Sequence, residues 1–143
     1  MTELKWVTTQ ERVDWEALSA LYRAAPLGDK PAAHLKNVFG GSRYAVFVYE
    51  GERLVGAGRA VADGGDCACL CDIAVHPDLQ GRQLGRAIVD RLVADCRGHK
   101  KIILYAVPGK EGFYRKAGFR PMPTAMGLFA DEAQALASGV LGV

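Results

Sequence analysis

The stretch Val75–Arg86, VHPDLQGRQLGR, sets Gly81, Arg82, Gly85 and Arg86 between the apolar run CLCDIAV and the start of a helical pattern. That combination suits an anion. The first N–H groups of a helix point outward unpaired, and the helix dipole adds roughly half a positive charge there. Glycine lets the main chain come close to a phosphate, and the Arg82 and Arg86 side chains offer charge-assisted donors. The plainer alternative is a turn with solvated arginines. No G-K-[ST] follows, so the stretch is not a nucleoside-triphosphate loop. Gly56-Ala57-Gly58 begins like a dinucleotide fingerprint, but Val61 stands at the third glycine's place and the run lies within a strand pattern.

Asp72 is the best-placed carboxylate, at the end of the central strand that leads into this junction. On regular alternation it shares a face with Ala74, opposite Cys71 and Ile73. Its plainer reading is a strand-end carboxylate held in a turn or paired with an arginine. Cys67, Cys69 and Cys71 also alternate and share a face, about 6.6 Å apart per two-residue step. That is too far for a comfortable disulfide within one strand. Neither paired Cys-x-x-Cys motifs nor nearby histidines accompany them, so no metal is expected. With Cys96 they read as small apolar residues in a reducing compartment.

The elements that must position these residues follow from periodicity. Leu4–Thr8 reads as a short strand. Asp14 caps a helix carrying Trp15, Leu18, Leu21 and Tyr22, which ends before Pro26. A second helix runs from Pro31, at a first-turn position, to Phe39, and Gly40-Gly41 stops it. Tyr44–Tyr49 and Leu54–Val61 form a hairpin around Glu50-Gly51-Glu52-Arg53. Asp63-Gly64-Gly65-Asp66 turns the chain into a third strand, Cys67–Val75. A helix from Leu84 to Cys96 buries Gly85, Ile88, Val89, Leu92 and Cys96 and exposes Arg86, Asp90 and Arg97. Lys101–Val107 is apolar throughout after its one lysine, as a parallel strand covered on both faces would be. Gly109–Ala117 is a short helix stopped by Gly118. Ala125–Ala130 reads as a last strand, and Asp131 caps a final helix. The fold class is α/β (α+β): a mixed sheet of six to seven strands, an antiparallel meander plus one strand-helix-strand crossover, with helices on both faces.

At 143 residues the chain fits one domain, 1–143, able to bury a core without disulfides or metal. A net charge of +2, from 18 Lys and Arg against 16 Asp and Glu, carries no nucleic-acid footprint. The N-terminal MTELKWVTTQERVDW has no long apolar segment, so no secretory signal is expected. No apolar run approaches the roughly 18 residues of a membrane span. The expectation is a cytoplasmic, bacterial-type protein with neither membrane nor nucleic acid among its partners.

Gln80-Gly81-Arg82-Gln83-Leu84-Gly85, just after Asp72-Ile73-Ala74-Val75-His76-Pro77, resembles the acetyl-CoA loop of the GNAT N-acetyltransferase superfamily, Q/R-x-x-G-x-G/A. Downstream, Phe113-Tyr114-Arg115-Lys116-Ala117-Gly118-Phe119 resembles that family's FYxxxGF segment. One helix and one strand separate the two, as in the family. The resemblance covers Tyr44–Phe129 well and the first forty residues by element order. Gly118–Pro121 and Met126–Phe129 resemble small-amine acetyltransferases of the serotonin or arylalkylamine kind. One departure stands out: Gln83 occupies the place of the family's first loop glycine, where a side chain crowds the pyrophosphate or demands a different backbone angle.

The resemblance implies direct transfer of an acetyl group from acetyl-CoA to the primary amine of a small molecule or peptide, without metal, in a protein that can be a homodimer. The pyrophosphate is expected on the amides of Gly81, Arg82, Gln83, Leu84, Gly85 and Arg86, aided by the two arginine side chains. The pantetheine arm is expected to pair with Ile73, Ala74 and Val75 where the Cys67–Val75 and Lys101–Val107 strands splay apart. The same edge would then offer an N–H near Ala74 to the thioester oxygen, an oxyanion contact worth roughly 3–4 kcal/mol. Tyr114 takes the family's general-acid position, a phenol of pKa about 10 against a leaving thiol near 8.5. Its plainer reading is a helix tyrosine packed on the sheet, and Phe113, grouped with the cofactor contacts, reads more readily as core. Asp72 is expected as base through a water, or as an anchor for the ammonium. His34 and Tyr22 are placed at the acceptor cleft, with Tyr44 and Tyr105 as further lining. A different class of reading is a non-catalytic acyl-CoA-binding regulatory module that kept the loop and lost turnover, to which Gln83 gives the best hint.

Overall fold

A computed structural model describes residues 3–143. It divides into two compact units, one running through Leu104 and the other Tyr105–Val143.

The first unit is a five-stranded sheet in the order β1-β2-β3-β4-β5, made of β1 (Leu4–Val7), β2 (Tyr44–Glu50), β3 (Arg53–Ala62), β4 (Cys67–Val75) and β5 (Lys101–Ile103). The first four strands are antiparallel neighbours, and β5 joins β4 in parallel, with Cys67 opposite Lys101 and Cys69 opposite Ile103. Helices α1 (Trp15–Ala24) and α2 (Ala32–Gly40) cover one face, and α3 (Leu84–Asp95) covers the other. Helices on both faces, the meander and the single crossover follow the sequence reading.

The helix boundaries have local causes. The Asp14 carboxylate accepts from the amides of Glu16 and Ala17, filling two otherwise orphaned donors at the start of α1. Pro31 stands just before α2 as its cap instead of within its first turn, and Gly41 closes it. The core between α1, α2 and the sheet holds Leu18, Leu21, Tyr22, Leu35, Phe39 and Phe47, all essentially inaccessible. Trp15, Phe39 and Phe47 meet there at ring separations of 5.4 to 6.5 Å. Burial of each large side chain of this kind contributes about 1.5–3 kcal/mol.

On the opposite face α3 lies very close to β3. A Cβ at Gly56 would stand 2.9 Å from Ile88 Cδ1, and one at Gly58 would stand 3.0 Å from both Ile88 Cγ2 and Leu92 Cδ1. These two glycines therefore admit the helix, which is the physical role of the G-x-G that is not a nucleotide fingerprint.

Two expectations about strands are corrected. The strand expected over Lys101–Val107 ends at Ile103, and as an edge strand it leaves Ile102 and Ile103 half-buried instead of covered. The strand expected over Ala125–Ala130 does not form, which with β5's neighbours leaves five strands among the described residues, not six to seven. In that segment Gly127 brings the main chain against Phe129 and Leu141, where a Cβ would lie 2.8 Å from the Phe129 ring. A chain folded back on its own side chains offers no extended ladder.

The second unit carries α4 (Glu111–Lys116) and α5 (Glu132–Ser138). Gly118, at φ 100°, ends the α4 region as anticipated, and the Asp131 carboxylate caps α5 through the Gln134 amide at 3.0 Å. Among the described residues no helix is long and apolar enough to cross a membrane.

Candidate functional site

The β4 strand bends at Asp72. Ala74 pairs with Ala57 and Cys71 with Arg59, so Asp72 and Ile73 together oppose the single residue Gly58. Two residues facing one is a β-bulge, and Asp72 takes φ 56°, a left-handed conformation that aspartate tolerates better than most residues. The bulge corrects the alternation argument. Cys71 and Ala74, three residues apart, now share the face of their partners Arg59 and Ala57, where regular pleating would have put them on opposite faces.

Three groups hold the bulge. The Arg59 Nε donates to Asp72 Oδ2 at 2.7 Å, and Lys30 Nζ lies 3.5 Å from Oδ1. The Tyr22 hydroxyl donates to the Asp72 main-chain carbonyl at 2.6 Å. Arg59 is further fixed by a 3.2 Å bond to Ser42 Oγ and by its place over the Phe39 ring. Sequence reasoning missed Arg59 and Lys30. The available signal was Arg59 itself, the one charged residue within the apolar run LVGAGRAVA.

Tyr22, expected at the acceptor cleft, is instead wholly buried, because the apolar stripe of α1 points it into the core. Burial, and secondarily the Asp72 charge, hold its phenol well above the ordinary tyrosine range. His34 stands exposed on α2, and Tyr44 is half-buried beside Arg43, whose guanidinium lies 5.9 Å from its ring.

Beyond Cys69 the β4–β5 ladder stops, while β4 continues to Val75. The stretch holding Ile73, Ala74 and Val75 therefore runs past the end of its parallel neighbour, which stops at Ile103. Gln80 then ties the following loop back: its side-chain amide donates to the carbonyls of Val75 and Ala25, both at 3.1 Å. A single 3₁₀ turn, Pro77–Leu79, precedes Gly81 at φ 82°.

At the start of α3 the amides of Gly81, Gln83, Leu84, Gly85 and Arg86 donate to no acceptor among the described residues. The Arg82 amide differs, closing a 3.4 Å bond to the Leu79 carbonyl. Five open donors around one helix end form an amide cradle of the kind that suits an anion. Arg82 and Gln83 also line a cleft of about 390 Å³ against Leu79, Leu84 and Ala87, whose far wall includes Trp6 and Glu50. Arg86 is engaged along the helix with Asp90 at 3.0 Å.

Gln83 sits at φ 62°, ψ 15°, and caps α3 without a side-chain hydrogen bond. The residue at the family's glycine place thus adopts the glycine-type backbone, at a cost of roughly 1–2 kcal/mol.

In the second unit, Tyr114 and Phe113 are half-buried, with rings 5.0 Å apart, and Phe119 meets Tyr114 at 6.0 Å. Burial raises the Tyr114 phenol above its usual pKa, so it stays protonated through neutral pH. Tyr105 is largely exposed and packs edge-on to Phe129 at 5.7 Å. Among the described residues no cluster of three potential metal ligands occurs.

Comparison with known proteins connects this geometry to a family. The chain is 47% identical over 76 residues to serotonin N-acetyltransferase 2, chloroplastic, of Oryza sativa, a match covering 52% of this chain and 38% of that protein. It is 31% identical over 115 residues to GCN5-related N-acetyltransferase 1, chloroplastic, of Arabidopsis thaliana, covering 78% of this chain and 58% of that one. The chain thus spans between a third and three fifths of the length of these two relatives. A crystal structure of a Staphylococcus aureus protein of unknown function superimposes with a TM-score of 0.79 at 25% identity, covering 89% of this chain and 98% of that one. The family model for the acetyltransferase (GNAT) domain matches residues 42–121. That match is unbroken from the β2 strand through the amide cradle to the end of the Phe113–Phe119 segment, and the chain belongs to the GNAT acetyltransferase family.

Proposed function

We propose that this chain is an N-acetyltransferase that moves an acetyl group from acetyl-CoA directly to the primary amine of a small molecule or peptide. The observation that carries the reading is the set of five unpaired amides at Gly81 and Gln83–Arg86, beside a β4 segment that has outrun its parallel neighbour. Those donors, with the Arg82 side chain, suit a diphosphate, and the outer edge of β4 at Ile73, beside the Val75 carbonyl that Gln80 holds, suits an amide-bearing arm. The names of the two plant relatives support the reaction class.

Acetyl-CoA supplies the activated acyl group. The residues of the chain then have separable tasks. The cradle amides bind phosphate, and an N–H on the outer edge of β4 near Ala74 stabilises negative charge on the thioester oxygen. The Ala74 N–H itself faces Ala57 on β3, because the His76 N–H bond to the Val55 carbonyl fixes the alternation of that ladder. Tyr114 holds a proton at its hydroxyl for a departing thiolate, the role implied by family resemblance, and Phe113 packs against it. Asp72 is a positioning residue in this reading. With Arg59 and Lys30 on its two oxygens, its charge is already balanced, which weakens it as a base or ammonium anchor. His34, exposed on α2, is a contact for the incoming amine.

The test has two arms. Acetyl-CoA should raise the thermal midpoint, and free thiol should appear when a panel of amines is added. A midpoint that does not move overturns the cradle assignment. A shift without thiol release from any amine or peptide points instead to a binding module.

A further inference from the structure

Cys69 and Cys71 lie side by side on β4, with their sulfurs 3.9 Å apart. Both are half-buried, and none of the four cysteines is in a disulfide. A disulfide bond would need the sulfurs at about 2.04 Å. A single bridging atom needs far less movement. Bonds of about 2.3 Å at the angle of roughly 100° of a pyramidal three-coordinate centre put two thiolate sulfurs roughly 3.5 Å apart, a few tenths of an ångström inside the spacing already present.

The charge environment favours a thiolate. Arg59 stands directly opposite Cys71 in the β3–β4 register, and Lys30 reaches the neighbouring Asp72. The Cys71 thiol is lowered to about 7, first by the hydrogen bond it shares with Cys69 and then by Arg59, against the opposing effect of burial. The Cys69 thiol is raised, chiefly by the same hydrogen bond.

We propose that Cys69 and Cys71 form a two-thiol site that captures one soft, thiophilic centre, of which a monosubstituted trivalent arsenic is the type. No third protein ligand accompanies the pair among the described residues, so a metal demanding four protein donors is not served. An organoarsenic(III) needs only two sulfurs. With phenylarsine oxide, two As–S bonds form, the arsenic–oxygen bonding is lost, and both thiol protons leave with that oxygen as water. No electron is transferred. The site does not depend on the acetyltransferase reading.

The experiment adds phenylarsine oxide to the full chain, reduced with a phosphine, and reads intact mass and thiol reactivity. The expected result is one phenylarsenic group per chain that survives excess monothiol and is stripped by a dithiol. Peptide mapping of the wild-type adduct should find Cys69 and Cys71 protected from maleimide, and Cys67 and Cys96 unprotected after denaturation. Cys69→Ser and Cys71→Ser should each lose the monothiol-resistant adduct, and Cys67→Ser should keep it. Retention of the adduct by Cys71→Ser, protection of any other cysteine pair, a wild-type adduct removed by monothiol, or an arsenical joining two chains would each overturn the proposal. The wild-type mapping decides the matter even where a serine variant folds poorly.

Discussion

The Tyr22 hydroxyl reaches across from α1 to the main-chain carbonyl of Asp72, 2.6 Å away and fifty residues on, at the point where β4 bulges. The same residue's carboxylate is held by Arg59. Main chain and side chain of one left-handed residue are therefore fixed from two different elements. Tyr22→Phe keeps the ring in its buried place and leaves that carbonyl without its phenol donor. We expect a loss of about 1–3 kcal/mol in urea unfolding. In the enzyme assay, KM for acetyl-CoA should rise more than kcat falls, because β4 next to the bulge is the segment disturbed.

Arg59 should matter more to stability than a surface arginine. Its side chain is 15% exposed and that of Asp72 is 18% exposed, so Arg59→Ala leaves a mostly buried carboxylate with only the longer Lys30 contact. The expected cost is about 3 kcal/mol by chemical denaturation. Arg59→Lys should recover only part of it, since an ammonium cannot serve Asp72 and Ser42 with the same planar fork.

For Tyr114→Phe, turnover should fall by about 10²–10⁴-fold with the acetyl-CoA thermal shift little changed. Turnover that stays at the wild-type level near neutral pH would reject Tyr114 as the acid. Burial raises this phenol, so its contribution to stability is present in full below pH 10 and fades as pH climbs through the higher folded value. The alkaline limb of the wild-type rate profile that belongs to Tyr114 should accordingly lie above pH 10.

Gln83 gives a test of backbone strain at the cradle. Gln83→Gly should relieve the φ 62° conformation and stabilise the fold by up to about 1 kcal/mol, with acetyl-CoA bound at least as tightly. Gln83→Val, branched at Cβ, should destabilise it. Paired urea titrations and acetyl-CoA titrations read both effects.

The β3–β4 turn should respond to acid. Asp63 is held down to about 2 by the amides of Asp66, Gly65 and Cys67. A depressed carboxylate stabilises the fold above its unfolded pKa of about 3.9, and that contribution is lost as pH falls toward 2. Melting temperature should drop through this window, and Asp63→Asn should flatten that part of the curve.

The sequence by itself determined the order of elements, the caps at Asp14 and Asp131, the meander, and the glycine-arginine junction at the start of α3. These are local matters: hydrophobic period, capping chemistry and the conformational freedom of glycine act over a few residues and can be read in a line. The junction's open amides were legible for the same reason, since a helix end exposes its first N–H groups wherever it occurs. Tertiary structure alone decided the bend at Asp72, the burial of Tyr22 and the partnership of Arg59 with Asp72. A bulge appears only when β4 must keep register with β3 around Gly58, and alternation counted along one strand has no knowledge of its neighbour. The length of the last strands was likewise undecidable in advance. Apolar composition in Lys101–Val107 and Ala125–Ala130 states that these residues prefer burial, whereas a strand exists only where a second backbone stands beside it to accept the hydrogen bonds.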